Sequence, residues 1–381
     1  MSRAQSLIAP GPDAAMAFMG LALLLIGLIA ISSASIGYAE LNYGNAWFHT
    51  QRHGIYLVGA VTIAIGMYHV PLKFWQESGW MWLLLALAGL ILVLIPGIGR
   101  EVNGSQRWLA LGPITVQPSE FAKLAMVVYL AGYMVRREEE MRLRWQGFLK
   151  PMGVLGATTL LLLVEPDFGA TVIVVVTAMG MLFLAGVRLG HFLIVALGAA
   201  GGGLVLIVSE PYRLKRLTAF QNPWAEPFDG GYQLTQSLIA FGRGEWLGVG
   251  LGNSIQKLFY LPEAHTDFVF SIWAEEMGFA GSMAVILLFA ALVGRILWAG
   301  RRALEAGSPF GAHVCFGVAL IFSGQAFVNI GVSCGLLPTK GLTLPFISYG
   351  GSSLIVCCAM LALVLRVDND TRQSGNRRRR G

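Results

Sequence analysis

The sequence predicts an all-α polytopic membrane protein, a bundle of about ten transmembrane helices with one large loop outside the cytoplasm. Of its 381 residues, 55% are hydrophobic and only 13% are charged. Soluble globular chains are usually about 25% charged, so this composition argues against an ordinary soluble domain. Long apolar runs recur from end to end, without the short alternating segments of a β-barrel. In lipid, backbone groups must bond within their own segment, so these runs predict helices.

About ten runs qualify as candidate spans, because a membrane helix needs roughly 20 apolar residues. In chain order they are Ala14–Ile36, Gly54–Val70, Gly79–Ile95, Phe121–Val135, Pro151–Val164, Phe168–Val187, Leu189–Val208, Phe268–Leu297, Phe310–Val332 and Ser348–Leu365. Only Glu165-Pro166-Asp167 separates the fifth run from the sixth, and a merger there would invert the topology downstream. The arrangement predicts a single membrane domain over residues 1–381.

Positive charges predict the orientation, because Lys and Arg concentrate in cytoplasmic loops. One side carries most of them, including Arg136, Arg137 and the run Arg377–Arg380. We therefore expect two cytoplasmic tails, residues 1–13 and 367–381, and an extracytoplasmic loop over residues 209–266 between spans seven and eight. A short interfacial helix is expected in that loop from Tyr232 to Phe241. A basic tail beside a membrane helix indicates anionic lipid rather than nucleic acid.

Neither a metal site nor a nucleotide site is visible in the motifs. The four cysteines lack metal-ligand spacing with histidine, and small apolar filling is their expected role. The glycine-rich string Gly242–Gly252 lacks the Gly-Lys-Ser/Thr ending of a phosphate-binding loop. Turn formation is its expected role.

Glu120 and Lys123 lie three residues apart at the start of the fourth span, after the helix-starting pair Pro118-Ser119. In one interpretation Lys123 extends to the membrane interface with Glu120 as its ion-pair partner. In the other, Lys123 is a cation held for an anionic substrate, since an ionisable residue at membrane depth is a functional candidate. Arg107, in the preceding loop, has the planar fork that suits phosphate or carboxylate oxygens.

A second basic cluster, Arg213, Lys215 and Arg216, follows the seventh span. Contact with lipid headgroups is the plain interpretation. Recognition of a diphosphate group is the functional one.

The stretch Leu261–Ser271 places Glu263, His265 and Asp267 directly before the eighth span. Thr266 or Asp267 could simply cap that helix. Capping needs only one polar residue, however, and Asp267 at a rigid helix end is also well placed as a general base. His265 is expected to orient or hydrogen-bond its neighbours rather than to act as the base.

Three long motifs resemble the SEDS family (shape, elongation, division and sporulation). They are GSQRWLALGPITVQPSEFAK, the segment from GYQLTQS to AEEMG, and LLPTKGLTLPFISYGGSS. Gln233–Ser237, Gly252-Asn253-Ser254 and Ala264 before His265 resemble the division branch rather than the elongation branch. The resemblance covers nearly the whole chain.

The resemblance implies an enzyme, a peptidoglycan glycosyltransferase that polymerises lipid II at the outer face of the bacterial inner membrane during septal synthesis. It implies inversion at the sugar, with undecaprenyl diphosphate leaving, and it puts the family's essential acid at Asp267. The Arg, Glu and Lys of its fourth-span motif fall on Arg107, Glu120 and Lys123. No cofactor site is predicted, although a divalent cation, Mg²⁺ or Mn²⁺, could help neutralise the diphosphate.

The implied partners are membrane proteins of the division machinery. They are the class B penicillin-binding protein FtsI, which supplies transpeptidation, and FtsQ, FtsB, FtsL and FtsN. The alternatives are a flippase or transporter of the lipid-linked precursor, or a non-catalytic scaffold of the division machinery. A transporter needs ionisable groups along a polar path near the bilayer midplane. Here the charged candidates lie at the predicted outer ends of spans, which favours an external reaction site.

Overall fold

The structure is a computed structural model that describes residues 11–102, 105–112, 114–208, 220–225, 227–338 and 341–378. Helices dominate these residues. They are α1 Ala14–Tyr43, α2 Phe48–His69, α3 Leu72–Leu94, α4 Pro118–Arg136, α5 Glu138–Leu143, α6 Trp145–Val164, α7 Phe168–Leu184, α8 Leu189–Val208, α9 Tyr232–Gly244, α10 Val269–Glu305, α11 Pro309–Ser333 and α12 Gly351–Arg378. Within the described ranges, six helices are long and apolar enough to cross a membrane: α1, α3, α6, α10, α11 and α12. The chain is therefore a mostly helical, multi-pass membrane protein.

Every predicted span overlaps a helix, and local sequence explains where several helices begin. The Asp13 carboxylate accepts the Met16 N–H at 3.0 Å and caps α1. Proline occupies the first turn of α4 and of α11, where its missing N–H costs nothing. The fifth and sixth predicted spans stay separate, since α6 ends at Val164 and α7 begins at Phe168.

The helices pack in pairs around a buried centre. α10 lies along α11, α2 along α12, and α3 along α4. Residues 341–350, which connect α11 to α12, also pass through the interior, with Leu342, Leu344 and Phe346 buried. The Phe346 ring meets the Phe322 ring of α11 at a centroid distance of 5.0 Å. This connection carries backbone into the region where the polar ends of α4, α7 and α10 meet.

A small antiparallel sheet departs from the all-α prediction. Its strands are β1 Gly99–Val102, β2 Ser105–Leu111 and β3 Ile114–Val116, in the order β1-β2-β3. Leu109 of β2 pairs with Gly99 on one side and with Val116 on the other. An open sheet edge is tolerated because these strands form a loop between spans, where water can satisfy the edge groups.

The eighth predicted span, Phe268–Leu297, is interrupted rather than continuous. Gly278 has φ 65° and ψ −165°, which divides α10 into an outer segment, residues 269–277, and a long segment, residues 279–305. The Trp273 indole N–H donates to the Gly281 carbonyl at 3.1 Å. Residues eight apart in a straight helix are about 12 Å apart along the axis. The outer segment is therefore bent relative to the long one.

Backbone groups freed by this break bond to the glycine-rich string. The N–H groups of Val249 and Gly250 donate to the carbonyls of Glu275 and Glu276, both at 3.0 Å. In the same way, the first two N–H groups after the break donate to two carbonyls just after α9, at 2.9 and 3.1 Å. Gly248 permits this approach, because a Cβ there would lie 2.1 Å from the Glu276 carbonyl oxygen. The string forms turns from residue 245 onward, as predicted, whereas Gly242 and Gly244 belong to the end of α9. The part after α9 also completes a broken helix.

A buried ion-pair network joins three helices at the predicted cytoplasmic end. The Asp13 carboxylate binds Arg295 of α10 at 2.8 Å and Arg372 of α12 at 2.6 Å. Asp368 of α12 accepts from Arg372 at 2.7 Å and also pairs with Arg302 of α10. These contacts tie the start of α1 to the far ends of α10 and α12.

Candidate active site

Asp267 lies two residues before α10, where three segments of the chain converge. The Asn329 side chain of α11 donates to the Asp267 carbonyl at 2.8 Å and to the Leu342 carbonyl at 2.6 Å. Gly341 is so close that a Cβ there would lie 3.1 Å from Asp267 Oδ2. The Asp267 carboxyl group thus lies next to the backbone of Gly341. The buried Asn329 amide fixes the backbone on both sides, at Asp267 and at Leu342.

The helix-capping interpretation of this stretch does not hold in its simple form. Phe268 occupies the N-cap position of α10 and makes no side-chain cap bond. The Thr266 hydroxyl donates instead to the Glu263 carboxylate at 2.6 Å. Neither Thr266 nor Asp267 occupies the N-cap position, so simple helix capping does not explain why these polar residues are there.

His265 belongs to a cluster of rings where the end of α1 meets the start of α2. Its ring centroid lies 5.3 Å from Tyr38, 4.9 Å from His49 and 5.8 Å from Tyr349. The Tyr349 N–H donates to the His265 carbonyl at 3.0 Å. Burial lowers the pKa of His265, although the Glu263 carboxylate acts in the opposite direction. A neutral imidazole packed among these rings fits a supporting role beside Asp267.

Sequence reasoning missed the histidines of this cluster. His49 and His53 are buried, and their ring nitrogens have no hydrogen-bond partner within the described part of the chain. Their spacing of four residues at the start of the second span was the available signal, because it puts both on one helix face. That pattern alone gave no reason to associate them with His265, which is distant in sequence.

Glu120 and Lys123 form a closed ion pair on the first turns of α4. The Lys123 ammonium donates to Glu120 Oε1 at 2.8 Å, and the Lys123 side chain is 0% exposed. The predicted pairing is therefore present, but extension of Lys123 to the interface is wrong. Neighbouring segments enclose the ammonium group, so it contributes positive charge from within the bundle.

Arg107 projects from β2 to the junction of α6 and α7. Its guanidinium donates to the Glu165 carbonyl at 3.1 Å and to the Pro166 carbonyl at 2.5 Å. Glu165 is fully buried, and neither carboxyl oxygen has a partner among the described residues. Burial and the charge of Asp167 raise the pKa of Glu165 to about 8, while Arg107 acts in the opposite direction. Glu165 is therefore neutral at pH 7, a feature that its sequence position did not reveal.

Asp167 connects this junction to α4. Its carboxylate caps α7 by accepting the Ala170 N–H at 3.1 Å, and it accepts the Ser119 hydroxyl at 3.1 Å. Gly169, in the first turn of α7, packs so closely that a Cβ there would lie 2.9 Å from the Leu342 side chain and 3.5 Å from the Gly341 carbonyl oxygen. Residues 341 and 342 therefore lie between two polar groups. One is the group around Asp267, and the other is the group around Asp167 at the junction of α6 and α7.

The third predicted group, Arg213, Lys215 and Arg216, lies outside the described residues. Within the described residues, no three His, Cys, Asp or Glu side chains gather as they would around a metal ion. The described residues thus provide a carboxylate just before α10, an enclosed cation on α4 and an arginine at the α6–α7 junction. Such an arrangement can take a proton from a hydroxyl and stabilise an anionic leaving group.

A family model described as cell cycle protein (FtsW, RodA and SpoVE) matches residues 14–373. This match covers the ring cluster, both polar groups and every predicted span.

Curated relatives are similar over almost their full lengths. The chain is 54% identical to a probable peptidoglycan glycosyltransferase FtsW of Nitrosococcus halophilus, over 95% of this chain and 94% of the relative. It is also 54% identical to a protein of that name from Hahella chejuensis, over 92% of this chain and 88% of the relative.

Solved structures share the fold. One is a chain of a peptidoglycan synthase complex that coordinates polymerization and crosslinking, with a TM-score of 0.77 and 28% identity, covering 94% of this chain and 98% of that one. Another is the rod shape determining protein RodA of Thermus thermophilus, with a TM-score of 0.69 and 28% identity over 94% of this chain and 97% of that one.

Proposed function

Because this chain belongs to the cell cycle protein family of FtsW, RodA and SpoVE, we propose that it is a peptidoglycan glycosyltransferase that polymerises lipid II into glycan strands. The observation that carries this conclusion is its high identity, over nearly the whole chain, to relatives named peptidoglycan glycosyltransferase FtsW. The polymer is made at the outer face of the cytoplasmic membrane, during septal wall synthesis in cell division.

The proposed topology has ten spans, formed by α1 to α4, α6 to α8 and α10 to α12. Six of these are long apolar helices and α7 and α8 are shorter apolar ones, while α2 and α4 pack within the same bundle. Ten crossings place both tails, residues 1–13 and 367–381, in the cytoplasm and residues 209–266 outside. Asp267 then faces the outer side, where the sugar of lipid II is found.

In the proposed reaction, the 4-hydroxyl oxygen of one sugar attacks the anomeric carbon of another. The bond from that carbon to undecaprenyl diphosphate breaks, and the configuration inverts. A hydroxyl is a weak nucleophile, so a base must accept its proton in the transition state, and Asp267 has that role. The bond from Asn329 to the Asp267 backbone carbonyl and the close approach of Gly341 to the carboxylate support this assignment, because they give residue 267 a defined place.

Cations stabilise the departing diphosphate in this proposal. Lys123 acts from its buried pair with Glu120, and Arg107 acts from the α6–α7 junction. Arg213, Lys215 and Arg216 share in binding the substrate diphosphates. A divalent cation, Mg²⁺ or Mn²⁺, would add charge beside the diphosphate, but the described side chains form no cage for it, so no step is assigned to it.

The proposed partners are those of a septal synthase. A class B penicillin-binding protein, FtsI, crosslinks the strands that this chain makes, and FtsQ, FtsB, FtsL and FtsN assemble with the pair. The similarity to one chain of a peptidoglycan synthase complex supports the FtsI partnership. Membrane lipids surround the exposed apolar helix faces.

The test uses the purified full chain with its penicillin-binding partner and labelled lipid II. Glycan polymer on a gel is the expected product. Transbilayer movement of the lipid without polymer would overturn the proposal in favour of a flippase, and neither activity would leave a scaffold. An antibiotic that blocks transpeptidation is included, so that any polymer reflects glycosyl transfer alone.

A further inference from the structure

The outer segment of α10, residues 269–277, is held at both ends by contacts from distant parts of the chain. At its start, Asn329 bonds to the carbonyl of Asp267 at 2.8 Å. At its far end are two consecutive carboxylates, Glu275 and Glu276, which are 0% and 1% exposed. The break at Gly278 separates this segment from the long part of α10. The segment therefore takes its position from its end contacts rather than from a continuous helix.

Glu275 is held by four donors, one from the last turn of α9 and three from the loop after it. Arg243 binds its Oε1 at 2.6 Å, and the Ser254 hydroxyl donates to its Oε2 at 2.5 Å. The backbone N–H groups of Ile255 and Gln256 donate to the same carboxylate at 3.1 and 3.3 Å. Consecutive backbone N–H groups of this kind form a concave anion site, here filled by the protein's own side chain.

Glu276 connects the same loop to α1. Its Oε1 accepts from Lys257 at 2.8 Å and from the Ser33 hydroxyl at 2.6 Å. Lys257 also donates to Ser33 at 2.8 Å, so the three side chains form a closed triangle. Burying two adjacent carboxylates is costly unless both are paired and hydrogen-bonded. Helix capping or turn formation alone would not require two adjacent carboxylates that are both buried and paired.

We propose that Glu275 and Glu276 are positioning residues for the glycosyl transfer, holding Asp267 in place through the outer segment of α10. This inference rests on the proposed function, with Asp267 as the base. Asp267 is two residues before the segment and the two carboxylates end it, so a shift of the loop moves the Asp267 carboxyl along the segment axis. A misplacement of about 1 Å at a reacting group can cost about 100-fold in rate.

The experiment compares lipid II polymerisation by Glu276→Gln, Glu276→Asp and a control, Glu305→Gln. Glu276→Gln removes the charge that pairs with Lys257. We expect kcat to fall about tenfold to 100-fold, KM for lipid II to stay within about twofold, and Glu276→Asp to recover part of kcat. Glu305 lies on the same helix in an exposed pair with Arg301 at 3.0 Å, and its variant should match the wild type.

A double variant separates positioning from general loss of structure. If Glu276 acts through Asp267, then Asp267→Asn with Glu276→Gln polymerises no more slowly than Asp267→Asn alone, because effects on one functional unit do not add.

If Glu276→Gln does not fold, Ser33→Ala removes one bond of the triangle and should lower kcat in the same direction. Wild-type kcat in Glu276→Gln, or in a folded Ser33→Ala, would overturn the inference, as would a multiplicative loss in the double variant. Failure of the wild type to polymerise would refute the proposed function instead.

Discussion

Glu165 is enclosed at the junction of α6 and α7, next to Arg107, one of the proposed substrate-binding cations. Because burial and Asp167 raise its pKa to about 8, its carboxyl carries a proton at neutral pH. A neutral Glu165 does not cancel the charge of Arg107, whose guanidinium bonds to the Glu165 backbone and not to its carboxyl. The positive field near the junction therefore remains available to an anionic substrate.

The raised pKa of Glu165 predicts a pH-dependent stability. Between the ordinary value of 4.5 and about 8, the carboxyl is protonated in the folded chain and ionised in the unfolded one. The contribution of Glu165 to stability is thus fully present below pH 4.5 and lost as the pH rises towards 8. We expect the melting temperature in detergent to decline less from pH 5 to pH 8 in Glu165→Gln than in the wild type. Identical declines would show that Glu165 ionises freely.

Lys123 allows a direct test of the substrate-cation role. Removing it alone would leave Glu120 as a buried unpaired charge, which typically costs 3–5 kcal/mol. The double variant Glu120→Gln, Lys123→Met avoids that penalty. We expect it to fold and to need about tenfold more lipid II for half-maximal rate, the result of losing roughly 1.4 kcal/mol of attraction. Neutralising the half-exposed pair Glu140–Lys150 in the same way is the control. Equal rates at every lipid II concentration would make the Lys123 pair purely structural.

Residue-scale sequence reasoning reached the pairing of Glu120 with Lys123 but not its depth. A lysine one turn inside an apolar run has the same pattern whether it reaches the interface or is enclosed. Enclosure depends on α7, α12 and the loops that pack over it, which are distant in sequence. His49 and His53 were missed for the same reason, because their neighbour His265 comes from another part of the chain.

At the scale of elements, the main feature is the interrupted α10 and the glycine-rich string that completes it. The string supplies backbone donors and acceptors to both sides of the break at Gly278. Carbonyl and N–H groups left free by a broken helix must find partners, particularly near lipid. The break in α10 therefore needs the backbone partners that the string supplies, and the string is held in place by the same bonds.

Comparing two glycines of the string distinguishes the effect of close packing on stability from the effect of backbone strain. Gly248 and Gly252 have nearly equal φ values of 82° and 83°, so alanine at either position costs about 1–2 kcal/mol in strain. Only at Gly248 would the new Cβ also collide with the Glu276 carbonyl oxygen, at 2.1 Å, while Gly252 has open space. We expect Gly248→Ala to lower the melting temperature clearly more than Gly252→Ala, and to lower polymerisation as well. Equal effects would mean that the string does not complete the helix.

Hydropathy located a helix at every predicted span, because a continuous apolar run of sufficient length has few alternatives to a helix. The break at Gly278 was not predictable in this way. A glycine inside an apolar run is compatible with a continuous helix, and the groups that pair with this break come from residues 245–250. The sheet in the loop before α4 was missed because the backbone pairing that forms it is not visible in hydropathy.

At the scale of the whole molecule, polar groups concentrate at two ends of an apolar bundle. At one end, Asp13, Asp368 and three arginines fasten α1, α10 and α12. At the other, Asp267 and the start of α7 approach residues 341 and 342 from two sides, and Ser119 of α4 bonds to Asp167 at the start of α7. We expect such an asymmetry in an enzyme that acts on a lipid-linked sugar at one membrane face, with one anchored end and the chemistry at the opposite end. The family membership and the site geometry therefore support the same conclusion.

The most direct measurement is the rate of lipid II polymerisation by purified Asp267→Asn with its penicillin-binding partner. Loss of the base predicts a fall of roughly 10²–10⁴-fold, with membrane insertion, melting temperature and partner binding unchanged. Asp229→Asn, the same substitution at an exposed outer-loop position, should polymerise at the wild-type rate. Near-normal glycan synthesis by Asp267→Asn would contradict the account, because no proton acceptor would then be required at this position.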